Sequence, residues 1–309
     1  MMHRQFSRRD ILKLGSRLAV VMGLAPTVAP DLAEALENLA SGRVKVIWLQ
    51  AQSCSGCSIS LIDSEAPGPA ELFTRYISLL FHHTFSAASG LVCSEIIDKT
   101  TKQGGHILVV EGAIPEAMPD ACLIGEKTAN ELVLASAKSA SHVITLGACA
   151  SFGGIPGAEN NPTGSISVTE YLKKNNVTTP TVVIPGCPSH PDWFVGTLVY
   201  LIKFGLPPMD ELRRPLMFFE KTNHHSCPRF FDYERSNFAK KFSDPGCLFE
   251  LGCLGVVTHA DCTLRDRNGG INNCIKAGAP CVGCSSEFFA AKASLPFYRK
   301  GEKVPQKES

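Results

Sequence analysis

From residue 43 onward the chain alternates short apolar runs with turns and with longer stretches of helical spacing. RVKVIWLQ (43–50), HILVVEG (106–112), HVITLGA (142–148) and TVVIPG (181–186) have the apolar, β-branched content of buried strands. Between them, residues 69–81 and 126–140 repeat apolar positions at the spacing of one helix face. Strands alternating with helices predict a parallel, doubly wound α/β sheet, in which ligands gather beyond the carboxyl ends of the strands. After about residue 205 this periodicity fades while Gly, Pro and Cys accumulate. LPPMDELRRP (206–215) reads as a linker, which divides the body into a sheet domain over 42–205 and an irregular domain over 206–309. The second of these is expected to be organised by bound groups more than by a large core.

The first thirty-five residues have a different texture. A basic stretch, an apolar stretch and then small residues follow one another, and Arg8 and Arg9 stand in S-R-R-D-I-L-K, close to the twin-arginine export signal. An amphipathic surface helix is the alternative reading. Export by that route carries proteins already folded, which suits a metal group inserted before transport. A cut after Ala35, following Ala33-Glu34-Ala35, obeys the small-residue rule. Residues 1–35 are therefore set aside from the fold. No later run of eighteen apolar residues exists, so no membrane span is expected in the mature body. With 30 basic and 29 acidic residues among 309, the chain lacks the basic excess of a nucleic-acid binder.

Thirteen cysteines change the picture. In an exported protein they could form a disulfide framework, but the odd total, the chain length and the tight C-x-x-C spacing favour thiolates converging on metal. Cys54 and Cys57 follow the first predicted strand, Cys149 the third and Cys187 the fourth, so four thiolates from three strand ends can meet at one place. In the second half, His224-x-x-Cys227 and Cys247-x5-Cys253 supply three thiolates and an imidazole. Zinc would accept that set, and His225 competes with His224, whose three-residue offset suits joint ligation with Cys227. Cys262, Cys274, Cys281 and Cys284 make a further set of four. Three such sites in one chain point to iron–sulfur clusters in series, since zinc has no redox chemistry and gains nothing from repetition.

In WLQAQSCSGCSIS, VVEGAIP, GACASFGGIPGA, VIPGCPSHPDW, HHSCPRF, CLFELGCLG and APCVGC, in this order, the chain resembles the small, electron-transferring subunit of nickel–iron hydrogenases. The resemblance covers nearly the whole length after the signal. It implies a flavodoxin-like first domain whose Cys54, Cys57, Cys149 and Cys187 hold a proximal [4Fe-4S] cluster facing the nickel–iron site of a large subunit. It assigns a distal [4Fe-4S] cluster to His224, Cys227, Cys247 and Cys253, and a medial cluster to Cys262, Cys281 and Cys284. In many members the medial cluster is [3Fe-4S] and a proline stands at the position of Cys274. A fourth thiolate there implies a medial [4Fe-4S] cluster at lower potential, as in the nickel–iron–selenium branch; the alternative is an unligated thiol beside a [3Fe-4S] cluster.

Oxygen-tolerant members carry additional cysteines where Gly56 and Gly154 stand here, so the resemblance implies an ordinary four-sulfide proximal cluster. Cys93 and Cys122 read as small buried residues, and His82, His83, His190 and His259 as structural, with His190 a candidate neighbour of the proximal ligands. Glu111 is either a satisfied buried carboxylate or a residue facing the partner. The implied function is relay of electrons between a large subunit, bound as an obligate heterodimer over an apolar surface near the proximal cluster, and an acceptor at the distal end. FYRKGEKVPQKES (297–309) is polar, so the expected acceptor is a soluble or peripheral carrier such as a cytochrome c. The expected location is the periplasm or the outer face of the cytoplasmic membrane. The rivals are a relay subunit of a quinone- or ferredoxin-linked complex and a zinc-stabilised binding protein.

Overall fold

The computed structural model describes residues 8–33, 44–65, 67–86, 88–158 and 160–290. A helix, α1 (Arg8–Val21), precedes the sheet domain. Strand β1 (Val44–Gln50) is followed by the short helix α2 (Gly56–Leu61), then β2 (Ile77–Phe81), α3 (Leu91–Gln103) and β3 (Ile107–Glu111). Helix α4 (Ala129–Ser139), β4 (His142–Leu146), α5 (Gly147–Phe152), α6 (Val168–Lys174), β5 (Thr181–Ile184) and α7 (Pro191–Phe204) complete the alternation. Beyond it the described residues form only short helices, among them α8 (Leu216–Phe219), α9 (Phe230–Glu234) and α10 (Cys262–Arg265), between turns.

The sheet runs β2-β1-β3-β4-β5 with every pair parallel, the flavodoxin-like order. Its two faces are both covered, which explains why the strands are apolar throughout and do not alternate. Trp48, Val109, Ile144 and Ile184 pack under Trp193 and Phe194 of α7. Leu49, Leu108, Val110 and Val143 pack under Ile97 of α3 and Val133 of α4. Thr128 and Glu131 close a capping box that starts α4, and Ser167 caps α6 through the Glu170 N–H. Register then decides where function can sit. Gln50 pairs with Glu111, Glu111 with Leu146, and Leu146 with Ile184, so four strands end in one row.

The sequence reading needs correction at residues 69–81. Helical turns there stop at Tyr76, and Ile77–Phe81 form the edge strand β2. The apolar spacing that resembles one helix face continues across this boundary, and pairing of Ile77 with Val44 overrides it. The stretch 206–215, expected as a linker, is stitched to both sides. The Val183 N–H donates to the Arg213 carbonyl at 2.9 Å, and Arg214 reaches Asp210 at 2.7 Å and the Ser285 carbonyl at 3.1 Å.

The segment set aside as an export signal packs on this body. Leu18, Met22 and Leu32 are buried in the same core as Phe194 and Phe218. The side chains of Arg8 and Arg9, together with Glu34 and Ala35 at the expected cut, lie outside the described residues. No helix among the described residues is long and apolar enough to cross a membrane.

Candidate metal centres

None of the thirteen cysteines is joined to another in a disulfide. Cys54 and Cys57 leave β1 and enter α2, Cys149 lies in the first turn of α5 after β4, and Cys187 follows β5 across a cis bond to Pro188. The level strand ends bring all four to one edge of the sheet. Burial drives the Cys57 thiol well above its ordinary range, with Glu111, Cys149 and Cys187 adding repulsion. Burial likewise pushes Cys187 up to about 12, helped by Cys149, Cys284 and Cys54 and opposed by Arg267. These thiols can ionise together only against a bound cation. The backbone approaches two of these sulfurs too closely for a side chain to stand between. Gly147, at φ +86°, sits where a Cβ would overlap the Cys57 sulfur, and a Cβ on Gly154 would lie 2.8 Å from the Cys149 sulfur. The Ser189 N–H points at the Cys57 sulfur at 3.5 Å, the kind of N–H···S contact that stabilises a metal-bound thiolate.

His224, Cys227, Cys247 and Cys253 line one small pocket with Phe249 and Ile275, and His225 does not. His224 is held between the rings of Phe230 and Tyr233, 5.1 and 4.6 Å away. Arg229 closes this site from the backbone side. Its own N–H points at the Cys227 sulfur at 3.4 Å, and its guanidinium donates to the carbonyls of Asp244 and Gly246, just ahead of Cys247.

Between these two sites lies the third set. Cys262 begins α10, which is anchored to α7 by Arg265 bridging Asp192 (3.2 Å) and Asp261 (2.5 Å). His190 caps α7, accepting from the Asp192 N–H at Nδ1 while Nε2 lies 2.7 Å from the Asp266 carbonyl, which fixes an Nε2–H tautomer. Asp266 also receives Asn273 (2.6 Å) and Lys276 (2.8 Å), pinning the Cys274 loop beside the turn after Cys262. Residue Cys274 is exposed, yet its thiol is still raised, first by burial and then by Cys284. Burial pushes Cys281 up to about 12, with Cys284 and Cys253 adding to it, and drives Cys262 well above its range, again with Cys284 beside it.

The same influences link the three sets into a line. Cys284 acts on Cys187 at one end, while Cys253 acts on Cys274 and Cys281 at the other. The Cys281 N–H also donates to the Cys253 sulfur at 3.3 Å. Among the described residues no three His, Cys, Asp or Glu side chains close to the spacing of a lone metal ion.

Residues 54–201 match the family model of the NADH ubiquinone oxidoreductase 20 Kd subunit, and residues 219–298 match that of the C-terminal region of the NiFe/NiFeSe hydrogenase small subunit. The chain is 38% identical to the periplasmic [NiFeSe] hydrogenase small subunit of Desulfomicrobium baculatum, over 94% of this chain and 98% of that one. It is 39% identical to the periplasmic [NiFe] hydrogenase small subunit 1 of Nitratidesulfovibrio vulgaris, over 96% and 94%. A solved [NiFeSe] hydrogenase chain from Dm. baculatum superposes with a TM-score of 0.79 at 39% identity, covering 83% of this chain and 98% of that one. The chain belongs to the small-subunit family of nickel–iron and nickel–iron–selenium hydrogenases.

As a hydrogenase small subunit it has a large subunit as its partner. Near the proximal thiols Cys54 and Cys187 are exposed, and Ile59, Ile62 and Ile155 stand out of α2 and the turn after α5. Glu111 is a satisfied buried carboxylate at this centre, with five donors around it: Ser53, Ser58, the Cys57 N–H, Trp48 and Gln50. Ser58 also touches His82 at 3.0 Å, so His82 joins the network. Cys93, on α3, and Cys122, ahead of α4, are half-buried at the margin of the core, less enclosed than the sequence reading expected.

Three residues at the candidate centres escaped the sequence reading. Gly147 cradles the Cys57 sulfur, Arg267 acts on Cys187, Cys262 and Cys274, and buried Asn223 donates to the Cys281 sulfur at 3.7 Å. Arg267 and Asn223 stand within five residues of ligand candidates, a signal too common to single them out.

Proposed function

We propose that this small subunit relays electrons between the hydrogen-activating nickel site of its large subunit and an external acceptor, through three iron–sulfur clusters. The proximal group would be held by Cys54, Cys57, Cys149 and Cys187, the medial by Cys262, Cys274, Cys281 and Cys284, and the distal by His224, Cys227, Cys247 and Cys253. With Cys274 as a fourth ligand, all three are [4Fe-4S]. Such clusters supply one-electron chemistry at potentials set by ligand charge, burial and hydrogen bonds to sulfur.

The observation that carries this reading is the Cys281 N–H that donates to the Cys253 sulfur at 3.3 Å and joins two of the donor sets; Cys284 adds to the raised Cys187 thiol of the third. The chain's own residues space the ligands, bury Cys281, and direct N–H groups at Cys57, Cys227 and Cys253. The exposed proximal thiols with Ile59, Ile62 and Ile155 form the surface the large subunit would cover, and area lost from water there favours an obligate pair. At the far end, exposed Phe231 and Phe249 and the ring stack on His224 favour contact with a soluble or peripheral carrier such as a cytochrome c. Export by the twin-arginine route to the periplasm fits Arg8 and Arg9 and the periplasmic relatives.

The deciding experiment is iron, sulfide and zinc analysis of the purified heterodimer alongside its visible spectrum. After subtracting the metal of the large subunit, about twelve iron atoms are expected for this chain. Zinc in place of iron would end the relay reading, and about eleven iron atoms would remove Cys274 from the ligands.

A further inference from the structure

The N-terminal segment has a built seat. Leu18 and Leu32 are 0% exposed and Met22 is 1% exposed, while Val20, on the opposite side of α1 from Leu18, is 77% exposed. The seat is shaped on both sides. Within the segment, Gly15 lets α1 close against the backbone of Ala29 and Ala33, where a Cβ would overlap the Ala29 carbonyl. On the body, Gly196 of α7 opens the place that Met22 takes: a Cβ there would lie 3.2 Å from Met22 Cγ and 2.8 Å from Phe218 Cζ. Phe218 is itself held by Arg265, whose guanidinium lies 5.1 Å from the ring centre and ties α10, which begins at Cys262, to Asp192 of α7.

We infer that residues 8–33 form a plug that fills an apolar groove between α7 and α8, and that the plug seats fully only when the Cys262 segment is docked on α7. The leader is thereby a reporter of a folded body. While the second half is undocked, Phe218 does not complete the groove and the leader is free. Once it docks, the apolar stripe of Leu18, Met22 and Leu32 is withdrawn from water and the exposed face with Leu12 and Val20 remains accessible. Removal of the leader on export, which rests on the proposed function, would leave that groove open. The seat itself does not depend on that function or on the identity of the bound metals.

Limited trypsin digestion of the full-length precursor tests the seat. Lys13 and Arg17 lie on exposed positions of α1, where cleavage requires the helix to lift and unwind. The double variant Leu18→Asp/Met22→Asp should be cut in this segment at least about ten-fold faster than the unaltered precursor, with unchanged visible absorption. Val20→Asp should digest like the unaltered chain. Arg265→Ala, which loosens Phe218 without touching the leader, should also speed cleavage. Equal cleavage of the unaltered precursor and the double variant would overturn the proposal. So would loss of absorption in the double variant, because the segment would then be a required part of the core and not a plug.

Discussion

Replacing Glu111 with glutamine should raise the reduction potential of the proximal group by about 100 mV and destabilise the fold by about 2–4 kcal/mol. Glu111 is 2% exposed at the end of β3. One oxygen accepts from the Ser53 hydroxyl at 2.9 Å and the Cys57 N–H at 3.1 Å; the other accepts from Ser58 at 2.5 Å, Trp48 at 3.2 Å and Gln50 at 3.4 Å. Five donors around two oxygens is a pattern that an ionised carboxylate satisfies. A glutamine keeps one oxygen. The serine hydroxyls can rotate to accept, but the Trp48 or Cys57 N–H cannot, so one or two buried donors lose their partner at about 1–3 kcal/mol each.

The lost charge acts on the electron as well. A unit charge roughly 7 Å away, at an effective dielectric of about 20, is worth about 2.4 kcal/mol, or about 100 mV for a one-electron step. An electron added beside a negative charge is disfavoured, so removing that charge must raise the potential. Redox titration of the heterodimer followed by electron paramagnetic resonance reads the shift, and thermal unfolding reads the stability. Glu111→Asp is the control, because it keeps the charge while losing geometry. It should melt earlier with a potential within about 30 mV of the unaltered protein. A glutamine variant whose potential falls, or moves by less than about 20 mV, would refute the assignment of this carboxylate to the proximal site.

Cys274→Pro should convert the medial group to a three-iron form, seen as a strong resonance signal in the oxidised protein and a loss of about one iron atom per chain. An unchanged signal would mean that Cys274 is a bystander. His224→Ala should remove or reshape the distal signal and His225→Ala should not; the reverse would exchange their roles. Gly147→Ala strains a backbone at φ +86° and drives a methyl into the Cys57 sulfur, so the heterodimer should lose about four iron atoms, and full iron content would disprove the cradle.

The pH dependence follows from two buried histidines. Burial lowers His82 and His106 from 6.5 to about 4, with His83 and Lys45 as the secondary causes. The unfolded chain then takes up protons that the folded one refuses. Their contribution is complete above pH 6.5 and declines as pH falls from there to about 4, by on the order of 2 kcal/mol for each group. Denaturant midpoints between pH 7.5 and 5 should therefore fall less steeply in His106→Gln than in the unaltered protein, and parallel slopes would contradict this.

Chemistry was more legible in the sequence than geometry. The strands around Trp48, Val109, Ile144 and Val183 could be read because burial on both faces leaves an unbroken apolar run. The edge strand β2 could not, because its one sheet neighbour leaves Ser78, Leu79 and Leu80 partly exposed and its spacing continues that of the preceding helical turns. The proposed donor sets could be drawn from the sequence because thiols and one imidazole recur there at short, fixed offsets. Glu111 was ambiguous, since a carboxylate after VV carries no mark of the five donors that meet it from other elements.

The order of apolar and polar residues, with the offsets between cysteines, determined by itself that this chain would form a parallel sheet with thiols at its strand ends. Those properties are local: a strand's burial and a pair's spacing are written in consecutive residues. Only the tertiary structure decided that the Cys281 N–H would meet the Cys253 sulfur, that Arg229 would act on Cys247 and Cys253 and Arg267 on Cys187, and that Met22 would pack against Gly196. These depend on strand register and on close packing between distant segments, and such contacts exist only once the chain has closed on itself.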